Sequence, residues 1–388
     1  MLLSAGRLRS QEPALDTVPQ RDLMDVLSRV LRGRPDSVVV KPAPKVVLSL
    51  LPAFGYNPAN GFLLGVSGNA FTRLGPPETT NASTVTASVN YTSKKQFNIL
   101  VRSNIFGPGN KWLSQGDWRY QDTSQPTYGL GPALPESYKD EMKFKVIRIY
   151  ETLYRPLSGK LMAGLGYHLN SYFNIVDPNA EQGLPSPFLD YHNGQVVTTE
   201  LSSGLSANLV LDNRDSPIYG TDGYYAVMSF RTFPKWLGSY TSWQSFQTDF
   251  RGYTRVGPSK RGVFALWTTG WFTFGEVPYL ELPAIGWDTY GRSGRGYTQG
   301  RIRGKNQFYL EGEYRVTLSR DGLFGAAGFL NLTSTSDTLT GGFERVDPGV
   351  GLGLRLKLNK RSHTNITLDF GWGHQGSNGL FLGTGEAF

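Results

Sequence analysis

Thr84-Val85-Thr86-Ala87-Ser88-Val89-Asn90-Tyr91-Thr92 puts Val85, Ala87, Val89 and Tyr91 on one face of an extended chain and only Thr, Ser and Asn on the other. Successive side chains of a strand point to opposite faces, so this stretch reads as a strand with one apolar and one wet surface. The pattern recurs. Residues 96–105 set Phe97, Ile99, Val101 and Ile105 against Gln96, Asn98, Arg102 and Asn104, and 364–372 set Ile366, Leu368, Phe370 and Trp372 against an inward Asp369. A soluble sandwich alternates as well, with its apolar face inward. Two features separate the cases. The runs are about ten residues long, enough for a tilted strand to cross a bilayer. Their polar faces carry Arg, Glu and Asp at depth, as a wet lumen requires. The expected fold is all-β, a transmembrane antiparallel β-barrel.

Composition agrees. Hydrophobic residues make up 39% of the 388, aromatics 13%, and there are 47 Gly and 20 Tyr; mean hydropathy is −0.31. No run of about eighteen apolar residues exists, which excludes helical membrane spans. The chain has no cysteine, which excludes disulfides, thiolate metal sites, cysteine nucleophiles and a lipoprotein anchor. The net charge is +8. Lys and Arg are scattered rather than blocked, so nucleic acid is not an expected partner.

Alternation defines strand cores at 46–54, 62–72, 84–93, 96–106, 111–120, 143–154, 160–172, 198–211, 223–232, 243–253, 262–274, 307–318, 323–332, 349–358, 365–372 and 379–388. That is sixteen, an even number that returns both termini to one side; fourteen would follow if two weak runs were loops. Long connections fall at 121–142, 174–197 and 275–305. Residues 45–388 are thus the barrel. Residues 1–44 read as the remnant of an export signal (Leu2, Leu3, Ala5 and Leu8 interrupted by Arg7 and Arg9) followed by a short periplasmic segment. That segment has one helix over 22–31, where Leu23, Val26, Leu27, Val30 and Leu31 recur at helical spacing, before Pro35, Pro42 and Pro44. Gly379, Gly383 and Gly385 in the last strand and Pro52 in the first either tune the curvature of the wall or weaken its closing seam.

The stretch from Glu276 to Gly286, followed by Gly294-Arg295-Gly296-Tyr297, resembles the BamA/TamA family of outer-membrane barrels, also called the bacterial surface antigen family, across 45–388. That family carries an Arg-Gly-Phe/Tyr triplet on its sixth extracellular loop, between strands eleven and twelve. The strand count puts Arg295 in the same connection. Asp212-Asn213-Arg214-Asp215, Glu313-Tyr314-Arg315 and Leu368-Asp369-Phe370 are similar to further family segments, and Phe388 stands where the assembly machinery reads a C-terminal aromatic. The resemblance implies integral residence in a bacterial outer membrane and an inward-folded loop 6. It also implies contact with outer-membrane lipid and lipopolysaccharide, and partners among outer-membrane or periplasmic assembly or secretion proteins. Three departures stand out. Gly294 replaces a larger apolar residue. Asn331 replaces an acidic lumenal partner. The substrate-docking POTRA repeats do not precede the barrel, which suggests an accessory role in assembly, insertion or translocation.

A lumenal arginine needs an anionic partner. Strand twelve alternates Gln307, Tyr309, Glu311, Glu313 and Arg315 inward, so Arg295 is expected to pair chiefly with Glu313, with Glu311 beside it and Asn331 a lost anchor. Asp212, Arg214 and Asp215 are expected to form a second ion-pair group. No catalytic residue, metal site or cofactor is expected: His168, His192, His363 and His374 lack ligand spacing, and Ser293 is not on a nucleophile elbow. The competing function is a passive channel or scaffold barrel.

Overall fold

The computed structural model describes residues 19–32, 46–217, 219–257, 261–288, 291–336, 341–343, 345–360 and 363–388. The expected signal remnant and Pro35, Pro42 and Pro44 lie outside them. The described residues form sixteen antiparallel strands closed in sequence order, β1 against β16. They are β1 Val46–Asn57, β2 Gly61–Thr72, β3 Ser83–Thr92, β4 Phe97–Phe106, β5 Leu113–Thr127, β6 Asp140–Ser158, β7 Leu161–Val176 and β8 Thr199–Asp212, then β9 Gly223–Phe233, β10 Trp243–Val256, β11 Gly262–Gly275, β12 Asn306–Thr317, β13 Phe324–Thr335, β14 Asp347–Asn359, β15 Thr364–Gly373 and β16 Asn378–Thr384. The connections 128–139, 177–198 and 276–305 (loops 3, 4 and 6) all lie at one end, the loop end; short turns lie at the other.

Alternation runs as the residue types demand. On β14, Val350, Leu352 and Leu354 face out while Gly349, Gly351, Gly353 and Arg355 are buried inside. The outward set forms a lipid-facing girdle with Leu50, Leu64, Leu165, Leu330 and Leu368, fringed by Tyr91, Trp118, Tyr314 and Trp372. Away from the β1–β16 seam, backbone groups in such a wall have a neighbour strand to bond, which is why a barrel tolerates hydrocarbon.

The strands outrun the sequence expectation at the loop end. β5 continues from 120 to Thr127 and β6 begins at Asp140 rather than 143. There the pattern inverts: Met142, Phe144 and Val146 point in and are buried, while Lys143 is exposed and Lys145 reaches Asp122 at 3.3 Å. Beyond the bilayer the outside is water, and the inside is occupied by loop 6. The lumen is accordingly not wet throughout. Met142, Phe144, Val146, Tyr172, Phe188, Phe233 and Trp243 pack on Val277, Tyr279, Leu280 and Leu282. A second cluster joins Trp267, Tyr253 and Tyr309 to Ile285, Tyr297, Ile302 and Phe388.

Two features mark the turn end. A helix, α1 Leu23–Arg32, is capped by Asp22, whose carboxylate accepts from Asp25 N at 2.8 Å while Asp25 accepts from Asp22 N at 3.1 Å, a reciprocal cap. It docks on the β14–β15 turn, where Lys360 donates to Asp22 at 2.9 Å from its backbone and to Asp25 at 2.7 Å from Nζ. The seam is the second feature. β15 and β16 register from Ile366↔Thr384 to Trp372↔Asn378, but β1 and β16 register only at Tyr56↔Leu382. β16 ends at Thr384 instead of 388, so on that side β1 has no ladder partner from Val46 through Ala53.

Leu352, 66% exposed at the middle of β14, tests the girdle. Leu352→Arg should destabilise the barrel in lipid vesicles by about 2–4 kcal/mol, the cost of a cation at bilayer mid-depth. Unchanged urea unfolding would place that face away from lipid.

Candidate functional site

Loop 6 spans 276–305 between β11 and β12, and its described residues, 276–288 and 291–305, fold into the barrel. Its root is fixed across the lumen. The Tyr279 and Leu280 amides donate to the Glu200 carboxylate at 3.1 and 3.4 Å, and Tyr172 Oη donates to Leu280 O at 3.4 Å. The returning arm is held by Arg303, which donates to Tyr279 O at 2.8 Å and Gln125 Oε1 at 3.3 Å. Arg301 pairs with Glu136 of loop 3 and lies 4.3 Å from the Tyr128 ring centroid.

The tip then crosses to β12–β15. Arg295 Nη1 donates to Asp369 Oδ2 at 2.8 Å; Nη2 bonds Glu311 Oε1 and lies 2.5 Å from Glu313 Oε2. Its guanidinium carbon stacks 3.7 Å from the Phe329 ring centroid. All four charged groups are buried. Glu313, the expected chief partner, and Glu311 beside it are thus two of three, because β12 offers two inward carboxylates two residues apart and β15 offers Asp369 as a third. Asn331 is an anchor after all, though not for the guanidinium: its Nδ2 donates to Arg295 O at 2.9 Å. Tyr309 Oη bonds Glu311 and accepts from Gly294 N at 3.0 Å. Tyr297 is buried, donating to Pro348 O at 2.5 Å and accepting from His374 N at 2.7 Å.

Backbone contact explains the glycines. Gly296 has φ 106°, and a Cβ on Gly371 of the wall would sit 2.7 Å from its amide nitrogen. Gly294 has φ 77° and a Cβ there would enter Ile285 at 2.1 Å. The departure at 294 is therefore a steric need of this loop.

The ionic cluster extends beyond the residues singled out from sequence. Arg355 on β14 donates to Asp369 at 2.5 Å, Glu313 at 3.3 Å and Glu386 at 2.8 Å. Arg315 bonds Glu313 and donates to Phe388 O at 2.9 Å. Arg292 of loop 6 donates to Thr384 O at 2.7 Å, Gly385 O at 3.1 Å and Glu386 O. Residues 385–388 have left the wall and turned into the lumen, where Phe388 packs on Trp267 at 5.3 Å between centroids. Phe388 therefore lies beyond the end of the last strand, which stops at Thr384 rather than running through 388 as expected; Arg292, Arg315 and Arg355 hold the tail inside. Asp369 and Arg355 were findable by parity. Arg292 and Glu386 carried no periodic signal.

The second ion-pair group is narrower than expected. Arg214 grips Asp212 at 3.0 and 2.8 Å. Asp215 instead accepts from the Thr221 hydroxyl and from Thr221 N at 2.9 Å, closing the 213–222 turn. Burial opposes the Asp215 carboxylate, but these donors outweigh it and hold its pKa below the usual range. Ser293 Oγ only accepts from Gly286 N at 2.8 Å. Among the described residues no group of three His, Cys, Asp or Glu is placed to hold a metal.

Arg295→Ala would leave three buried carboxylates short of a cation and should cost about 3–5 kcal/mol. Mobility of unheated samples on gels and protease resistance of loop 6 both report it; if neither changes, Arg295 is not an anchor. Arg295→Lys should recover only part, since an ammonium cannot present the planar fork. His192, whose Nε2 lies 3.2 Å from Glu200, adds a pH test. Burial disfavours its charge, but Glu200 outweighs burial and raises its pKa. Its contribution is therefore complete below the unfolded value of about 6.5 and is lost as pH rises through the higher folded value. Protease cleavage in 177–198 should increase across that window, and His192→Gln should flatten the response; a pH-independent wild type would contradict the pairing.

No protein-family model matches the sequence, and no curated sequence is similar to it. Solved structures match. BamA from Haemophilus ducreyi lacking POTRA domains 1–3 superposes with TM-score 0.58 at 14% identity, over 89% of this chain and 71% of that one. CdiB from Acinetobacter baumannii gives TM-score 0.56 at 15% identity over 88% and 60%, and CdiB from Escherichia coli gives 0.56 at 11% over 89% and 63%. This chain spans less than two thirds of either CdiB chain. In its fold, sixteen antiparallel strands closed in sequence order with an apolar outer girdle, this chain is similar to the BamA and CdiB barrels.

Proposed function

We propose that this barrel works in outer-membrane protein assembly, insertion or translocation, as an accessory component beside other outer-membrane or periplasmic proteins, and that its β1–β16 seam is the working part. The supporting observation is the single registered pair, Tyr56↔Leu382. It leaves β1 from Val46 to Ala53 with a row of unbonded amides and carbonyls toward the seam. An unpaired strand edge is a template for another strand, and here it opens on both lumen and lipid. The turn end, with α1 and the short turns, would face the periplasm, and loops 3, 4 and 6 the exterior. Lipid and lipopolysaccharide would cover the girdle. The likeness to the BamA/TamA family, whose members assemble or translocate proteins, points the same way. A standing open channel fits less well, because loop 6 and its two apolar clusters lie inside the lumen.

The chain has no native cysteine, so Tyr56→Cys with Leu382→Cys gives a clean lock. Facing residues of an antiparallel pair lie about 4.5–5.5 Å apart at Cα, within disulfide reach. Cells carrying only the oxidised barrel should show altered abundance of other outer-membrane proteins, reversed by reduction. A locked barrel that leaves the outer-membrane proteome unchanged would remove the seam from the mechanism.

A further inference from the structure

Across the lumen from Arg295, the wall of β6–β9 holds two guanidiniums, Arg148 and Arg231, that form no ion pair among the described residues. Arg148 on β6 makes one hydrogen bond, Nε to Asn170 Oδ1 at 2.9 Å. Arg231 on β9 has a buried Nε with no partner. Both lie over the Tyr150 ring, 4.9 and 5.2 Å from its centroid. Arg231 reaches it across the inward faces of β7 and β8, where Gly166, Ser202, Gly204 and Ser206 are small and leave room beside His168 and Asn170. Neighbouring lumenal arginines are treated otherwise: Arg119 has Asp117, Arg251 has Asp249 and Arg214 has Asp212. Among the described residues no carboxylate forms an ion pair with Arg148 or Arg231. Glu281 of the loop 6 root is buried nearby, yet its Oε1 also lacks a partner. Two half-buried cations beside one carboxylate leave a unit of positive charge facing the lumen, a seat for a counter-anion.

We propose that Arg148 and Arg231 bind a small oxyanion, a phosphate or a carboxylate, in the lumen beneath the root of loop 6. Guanidinium forks match the paired oxygens of either group. Tyr150 Oη accepts from Asn170 Nδ2 at 2.7 Å, which leaves its own proton to donate to the same anion. His168, whose Nε2 is engaged by Ser206 at 2.8 Å while its buried Nδ1 is free, lies edge-on to that ring at 4.3 Å and completes a polar recess. The bound anion would bridge the β6 and β9 walls under loop 6 and stiffen its seat.

The test titrates inorganic phosphate, and separately acetate, into the folded full-length barrel in detergent at constant ionic strength, with chloride as control, and reads the thermal midpoint. The expected result is a saturable rise with phosphate, acetate or both, absent with chloride; which one saturates identifies the anion. Arg148→Gln with Arg231→Gln should abolish it. Should that variant not fold, as judged by unheated gel mobility, Tyr150→Phe keeps both cations and should weaken the response. No saturable rise in the wild type, or one that persists undiminished in the variants, overturns the site. Neither outcome depends on the seam, so this proposal and the assembly reading stand or fall separately.

Discussion

The guanidinium of Arg295, shared among Glu311, Glu313 and Asp369, is the contact on which the interior of this barrel is organised. A buried ion pair is not a source of net stability by itself, since desolvation costs about what attraction returns; breaking one is what is expensive. The cluster therefore specifies a place more than it adds energy. Carboxylates on β12 and β15 would be intolerable in an enclosed lumen without a cation, and the only way to deliver Arg295 is to bring the tip of a long loop down to the wall. Gly371 and Gly296 allow that approach because neither carries a side chain where backbone meets backbone.

The same charges reach further than the loop. Arg355 and Arg315 carry the network from Glu313 to Glu386, and Arg292 grips the carbonyls at 384–386. The chain thus leaves the wall at Thr384 because its next residues have better partners inside than along β1. One consequence is the shortened β16, and with it the exposed edge of β1. Loop 6 and the chain beyond β16 are thus held by one electrostatic arrangement.

Much of this was legible in the residues. Period-2 alternation located sixteen strands, since a bilayer on one side and polar groups on the other impose it on every crossing. Parity put Glu311, Glu313 and Asp369 inside, and the triplet put Arg295 beside the two glutamates, though not beside Asp369. What stayed hidden had physical reasons. Above the bilayer Phe144 faces loop 6 and Lys143 faces water, so the rule that located strands below reads backwards there. Asn331 looked like a missing partner because only side-chain charge was weighed; its amide serves the Arg295 carbonyl. Phe388 looked like the end of a strand because Gly379–Phe388 alternates well enough, and nothing local announces that Arg292 and Arg315 will draw it inward. Asp215 was grouped with Arg214 by adjacency, while Thr221, six residues on, holds it.

Hydrogen–deuterium exchange across 294–303 in the folded barrel tests the central claim most directly. The amides of Gly294, Tyr297, Gly300 and Arg301 donate to Tyr309 Oη, Gly294 O, Ile285 O and Thr298 O inside the lumen. With loop 6 docked on β12–β15 they should exchange nearly as slowly as the strands of that wall. Exchange as fast as in the exposed turn around Lys94 and Lys95 would show a loop that does not dwell inside, and the electrostatic organisation of the barrel would have to be abandoned.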